Sequence, residues 1–297
     1  MKRTTFHAMS VVAGAAIFLA GCTKTESQQN DSAATAATAT PAAAATGTAG
    51  ANMVMFSAKE FAFDGPAEIP AGLTMFHLID AGQELHHVQL LKLEQGKTFA
   101  DLEAAVKAGG PPPMWAVPYG GVNPGTPGGG ETSATQVMEP GNYAVVCFIE
   151  SADHVPHIAK GMMKPLTVTA SANANTTEPA ADVTMALNDY SFTLTKPLAA
   201  GKQLIKVQND AAQPHEVVLV QLAPGKTIEE LGAWAMDMKG PPPGKTLGGV
   251  PAIVKGKAAY FEANLEPGDY GLICFVPDAK DGKPHFTRGM AQQFKVS

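Results

Sequence analysis

The sequence predicts an all-β chain made of two tandem β-sandwiches, each with a short helical insertion. Three observations lead there. The chain has 297 residues, enough for two domains of ordinary size. It carries 30 glycines and 23 prolines, a composition that favours short strands and many turns over long helices. And the stretch that begins at Val54 returns from Val183 at an offset of 129. At that offset Phe61 meets Tyr190, Phe63 meets Phe192, Gly72 meets Gly201, His86 meets His215, and Gly96-Lys97-Thr98 meets Gly225-Lys226-Thr227. With gaps of one or two residues, "GPPP" at Gly110 matches Gly240, "EPGNYAVVCF" at Glu139 matches "EPGDYGLICF" at Glu266, and "PHIAKGM" at Pro156 matches "PHFTRGM" at Pro284.

Two segments precede the repeat. Met1-Lys2-Arg3 gives a positive start, and an apolar run from Ala8 to Ala20 ends in Leu19-Ala20-Gly21-Cys22. A run this short, ending in small residues, reads as a secretory signal. Its ending closely resembles a bacterial lipoprotein cleavage box, which implies a signal peptide over 1–21, cleavage before Cys22 and lipid on the Cys22 thiol. Residues 22–51 are mostly Ala, Thr, Ser and Gly without apolar period, the composition of a flexible tether. The expected product crosses the inner membrane and stays anchored in the cell envelope, its membrane partner reached through acyl chains at Cys22.

The domains then run 52–169 and 183–297, joined by a linker over 170–182. Within each, the last long strand shows period two. Tyr270, Leu272 and Cys274 share one face, as do Tyr143, Val145 and Cys147. "HEVVLVQL" from His215 is apolar on both sides, as a central strand should be. Thr227-Ile-Glu-Glu230 has capping-box spacing, with Ile228, Leu231, Ala235 and Met238 at helical intervals. Thr98 leads into Phe99, Leu102 and Val106 in the same way. "GPPP" is expected to stop each helix. Trp115 and Trp234 read as packing residues, and His77 and His87 as surface strand residues.

The chemistry lies in an ordered set that occurs twice. One copy supplies His86, Cys147, His157 and Met162; the other supplies His215, Cys274, His285 and Met290. Two imidazoles and a thiolate with a weak axial thioether make up the blue-copper donor set. The soft thiolate suits Cu(I), the imidazoles suit both oxidation states, and the thioether tunes the potential. In the first copy His154 competes with His157 for the ligand position. A disulfide would have to bridge the two copies, since each holds one cysteine.

These residues resemble a family. "NDAAQPHEVVL" (Asn209 to Leu219) is similar to the first copper loop of plastocyanin-type cupredoxins, and "PGDYGLICF" followed by "PHFTRGM" to their last strand and ligand loop. The His-x4-Met spacing is that of plastocyanin in both copies. The resemblance covers both repeats and extends to tandem cupredoxin-like bacterial lipoproteins. It implies Greek-key sandwiches with one type 1 copper at an end of each. Two features differ from the pattern. The interval between Cys and His holds nine residues in one copy and ten in the other. And the position after the first His, where cupredoxins often place an Asn that ties the ligand loops, holds His87 or Glu216.

The expected function is therefore electron transfer by a copper-binding envelope lipoprotein with a partner redox protein. The alternatives are copper handling without redox cycling, and a metal-free binding or scaffold protein. A net charge of −6 argues against nucleic acid as a partner. No His-x-His pair for a second copper site occurs, so the sequence expectation is that the chain is not an enzyme, neither a multicopper oxidase nor a nitrite reductase.

Overall fold

A computed structural model describes residues 50–297; the expected signal peptide, Cys22 and all but the last two residues of the expected tether lie outside the described residues. The N-terminal half contains β1 (Asn52–Lys59), β2 (Ala62–Asp64), β3 (Glu68–Pro70), β4 (Gly72–Asp80), β5 (Val88–Leu93), α1 (Phe99–Ala108), β6 (Ala116–Val122), β7 (Gly130–Met138), β8 (Gly141–Val146) and β9 (Met163–Thr169). The C-terminal half contains β10 (Val183–Asn188), β11 (Ser191–Leu194), β12 (Gly201–Asn209), β13 (His215–Leu222), α2 (Ile228–Asp237), β14 (Gly244–Ile253), β15 (Ala258–Leu265), β16 (Gly268–Ile273) and β17 (Ala291–Val296). Among the described residues no helix is long and apolar enough to cross a membrane.

The strands lie in two layers that run unbroken through both halves. One sheet has the order β11-β10-β12-β15-β7-β4-β1-β2, the other β17-β16-β13-β14-β6-β5-β8-β9-β3. The halves meet where β15 pairs with β7 (Tyr260 opposite Thr135, Phe261 opposite Ala134) and β14 with β6 (Ile253 opposite Tyr119). An unpaired sheet edge exposes a row of backbone donors and acceptors; here each half covers the other's. One apolar core fills the space between the layers. It holds Phe56, Phe76, Leu90 and Val145 from one half together with Val207, Leu219, Phe261 and Leu272 from the other. Side chains add to the junction: Gln89 donates to Ala252 O at 3.0 Å, and Asn123 donates to Val217 O at 2.9 Å.

The period-two reading of the last strands explains how each half is layered. Tyr143, Val145 and Cys147 enter the inter-sheet core, as do Tyr270, Leu272 and Cys274. Ala144 and Val146 point the other way and pack with Leu102 of α1; Ile273 packs with Ile228 and Leu231 of α2. Both helices begin at reciprocal caps, in which Thr98 accepts from Asp101 N and Thr227 from Glu230 N. They end sooner than the prolines: the chain leaves the helix at Gly109 and Met238, ahead of each "GPPP". Trp115 and Trp234 pack beside these helical clusters.

Candidate metal centres

Each cysteine sits one residue beyond a strand end, Cys147 after β8 and Cys274 after β16. The chain then makes a loop and returns. In the first half His157 N donates to Ile149 O at 2.9 Å and Ile158 N to Cys147 O at 2.8 Å. In the second, His285 N donates to Val276 O at 2.9 Å and Phe286 N to Cys274 O at 3.0 Å. The long interval is thus a small hairpin that brings the histidine back beside the thiol. That histidine opens a 3-10 turn, His157–Lys160 or His285–Arg288. Gly161 and Gly289 end the turns at φ 97° and 104°, left-handed geometry that favours glycine. The next residue, Met162 or Met290, accepts from the cysteine N–H at 3.3 and 3.1 Å.

The other histidine arrives on the loop before β5 or at the start of β13. Asp80 Oδ2 accepts from His86 N at 3.0 Å. Its counterpart Asn209 donates to Gln213 O at 2.8 Å and to Ile253 O at 2.7 Å. In both halves the Nδ1 atoms turn inward. His86 Nδ1 lies 3.0 Å from His157 Nδ1, which lies 3.5 Å from Cys147 Sγ. Cys274 Sγ lies 4.0 Å from His215 Nδ1 and 3.6 Å from His285 Nδ1. Within each trio the ligand atoms all fall within 4.8 Å of one another. All six residues are fully buried, as are Met162 and Met290, which share the apolar core with the two cysteines. Both thiols are free. His154 stands apart, exposed and 3.4 Å from Glu150, so it is His157 that the fold gathers beside Cys147.

Burial sets the protonation. Loss of solvent, reinforced by the neighbouring ring, lowers His86 and His285 to about 4. Burial also lowers His157 and His215, against the pull of Glu84 and Asp189. These carboxylates lie 2.9 Å from His157 Nε2 and 3.1 Å from His215 Nε2. Each acceptor favours the tautomer with its proton on Nε2, leaving the Nδ1 lone pair facing the thiol. Burial raises the Cys147 thiol to about 12 and pushes Cys274 up as well. Such thiols ionise when a bound cation replaces the proton. His86 Nε2 and His285 Nε2 are buried without a hydrogen-bond partner. Neutral inward imidazoles, a sulfur and an apolar surround fit a copper ion, which His86, Cys147 and His157, or His215, Cys274 and His285, would hold.

The loop tie that the sequence lacks as asparagine is present in other residues. His87 Nε2 accepts from Phe148 N at 2.9 Å, and Glu216 Oε1 accepts from Phe275 N at 2.9 Å. Each joins the first-histidine loop to the residue just after the cysteine. His87 is therefore not a surface residue: it is buried, and burial lowers it to about 3. His77 is also mostly covered, 2.9 Å from Ser133 Oγ and 3.2 Å from Glu131 Oε2.

Sequence reasoning missed Glu84 and Asp189, and two aromatic covers. Phe61 stands edge-on to His157 (centroids 5.2 Å, 66°) and Tyr190 edge-on to His285 (5.4 Å, 74°). Both take a left-handed backbone, φ 63° and 65°, which is rare for aromatic residues. Tyr190 donates to Asp278 in a short hydrogen bond. Asp278 also meets Arg288 Nε at 3.2 Å, and with these partners, Tyr190 first, it sits at about 2. The one signal in the sequence was that Phe61 and Tyr190 align in the repeat.

No family model and no curated protein matches the chain. Among solved structures it is similar to a reduced auracyanin from Roseiflexus castenholzii, at 22% identity over 40% of this chain and 98% of that one, TM-score 0.29. It is similar to a blue copper oxidase from Nitrosomonas europaea, at 13% identity over 82% of this chain and 86% of that one, TM-score 0.24. A copper-containing nitrite reductase from Thermus scotoductus matches at 8% identity over 82% of this chain and 61% of that one, TM-score 0.22. Two of these three are enzymes by name, matched over most of this chain, and they bring a correction: the expectation that the chain is not an enzyme does not stand. It leaned on the lack of a His-x-His pair, yet ligands need not be close in sequence, as His86 and His157 show at a separation of 71 residues. The correction assigns no activity, for likenesses this distant do not speak to one. What the strands themselves establish is an all-β fold in two layers, with two short helices among the described residues.

Proposed function

We propose that the chain binds two copper ions, one in each half, and carries single electrons at the cell envelope. The observation that supports this reading is the convergence, twice over, of one thiol and two inward imidazoles within 4.8 Å. Met162 and Met290, buried beside their cysteines, are the proposed axial thioethers. In this reading 52–169 and 183–297 are copies of one cupredoxin unit, and each copper is of type 1. Bound copper would supply a one-electron couple. The chain's own part is rigidity and dryness. The donors come from a strand end, a closed hairpin and a capped turn, so little rearranges when charge changes. Full burial keeps water from the sulfur. Glu84 and Asp189 hold the Nε2 protons of His157 and His215 in place. The Leu-Ala-Gly-Cys box supports lipid at Cys22, with 22–51 as a tether that lets both centres reach a partner redox protein near the membrane.

Copper loading of the full chain tests the proposal. The expected result is two coppers per chain, strong visible absorption from the thiolate–copper bond and a reversible couple. Cys147→Ser and Cys274→Ser should each remove one copper and about half of the colour. A chain that holds Cu(I) without colour or a couple would be a copper-handling protein instead. A chain that takes up no copper would overturn the reading.

A further inference from the structure

The outer face of the eight-stranded sheet carries a different kind of donor cluster. β1 and β4 run parallel, and their register sets Met53 beside Met75 and Met55 beside His77. Val54, Phe56, Phe76 and Leu78 turn into the core, so the alternate positions turn out of it. Three thioethers therefore share one patch of sheet surface. Met53 is 60% exposed and Met55 52%, while Met75 is 5% exposed. The segment between the halves meets β4 two residues before Met75, where Asn175 O accepts from Leu73 N at 2.5 Å. His77 lies at the other end, its Nε2 3.2 Å from Glu131 Oε2.

The fold does not call for sulfur at these positions. At the offset of the repeat the C-terminal half has Asp182, Thr184, Leu204 and Lys206, and it builds the same pair of strands, β10 and β12, in parallel. Large apolar side chains gain nothing by standing in water, and contiguous ones mark a binding surface. Thioethers narrow the choice of ligand. They are neutral, polarisable donors on flexible stems, which select Cu(I) over hard divalent ions. The Glu131 carboxylate beside His77 adds negative charge at the edge of the patch and favours a cation.

We propose that Met53, Met55 and Met75 form a surface site for a soft monovalent cation, Cu(I), separate from the two buried centres. Uncharged sulfur ligands keep the site's affinity for Cu(II) low. The turn at the end of β4 separates it from the His86 loop, so the patch can fill without disturbing the thiol centre.

Silver(I) serves as the redox-inert probe, with the full chain carrying 13C-methyl methionine. Single Met→Leu variants identify each methyl signal. Met162 and Met290 report on the buried centres, and Met53, Met55 and Met75 on the surface patch. The expected result is that the three surface methyls shift together and saturate with one equivalent of silver beyond that taken by the buried centres. Met53→Leu combined with Met55→Leu, exposed positions where the swap leaves folding intact, should abolish that equivalent while the Met162 and Met290 responses stay as they were. Surface methyls that stay still in excess silver would overturn the proposal, as would an unchanged stoichiometry in the double variant. Either outcome would leave the copper reading of the buried centres untouched, and failure at Met162 and Met290 alone would count against that reading and not this one.

Discussion

The two buried centres share their donors and differ in nearly everything that supports them. In the N-terminal centre a carboxylate holds the second histidine, Glu84 on His157; in the C-terminal centre it holds the first, Asp189 on His215. The ring nitrogen without a hydrogen-bond partner is thus on His86 in one and on His285 in the other, the latter 3.9 Å from Asp278 Oδ2. The loops are tied by an imidazole in one half and a carboxyl in the other. Phe61 covers one centre, with the Lys160 ammonium 4.8 Å from its ring centroid; Tyr190 covers the other and reaches into a network with Asp278 and Arg288. The difference teaches which parts are fixed. Cysteine past the strand end, the 3-10 turn and its left-handed glycine recur without change, because backbone geometry gathers the donors. The supports are interchangeable wherever the replacement accepts the same N–H.

The largest test of that idea is to remove the ties. His87→Leu and Glu216→Leu would each strand a part-buried backbone N–H, and each should cost about 1 kcal/mol or more in denaturant unfolding. Glu216→Gln keeps an oxygen acceptor and should recover most of the loss. If the leucine variants are as stable as the parent, the ties are incidental and the comparison breaks. Next come the carboxylates. Asp189→Ala should weaken copper at the C-terminal centre roughly 10- to 100-fold in a chelator competition, and Glu84→Ala should do the same only at the N-terminal centre. Running each in a chain that lacks the other centre's cysteine separates the two. A smaller effect is expected from Tyr190→Phe, which makes the C-terminal cover resemble the N-terminal one. Voltammetry should show the two potentials drawing together, by less than Asp189→Ala moves either.

The smallest effect concerns the junction. Glu139 bridges Lys257 of one half (2.6 Å) and Lys92 of the other (2.5 Å), and these partners, Lys257 first, hold it at about 2. Its folded value lies below the ordinary 4.5. The stability it adds is full above about pH 4.5 and is lost as the pH falls from there through about 2. The carboxylate is half exposed, so after screening the contribution is about 1 kcal/mol or less. Glu139→Gln should lower the melting temperature slightly near neutrality, and the difference from the parent should vanish as the pH falls through about 2.

Much of this was legible in the sequence. Tyr270, Leu272 and Cys274 declared their face by alternation: all three enter the inter-sheet core, while Ile273 between them packs under α2. The two His, Cys and His groups that the fold gathers were legible because their residues recur in order. The ties were not, because nothing local marks His87 or Glu216 as an acceptor; each finds its N–H only when two loops distant in sequence meet. The left-handed backbone at Phe61 and Tyr190 was equally silent, since an aromatic residue is the last that a turn signal would suggest. The joining of the sheets was hidden for a different reason. Its backbone ladder rests on few residue pairs, such as Ile253 with Tyr119, and hydrogen bonds between main chains leave no signature in side-chain pattern.

That joining makes the molecule hard to divide. A protease cut within 170–182 would free two pieces, each ending at a bare edge, β6 and β7 on one and β14 and β15 on the other. Mixed, they should find each other again and restore the ladder. Kept apart, each would present an open row of amides to any strand that passed, including one from its own kind, so an isolated half should self-associate more readily than the intact chain.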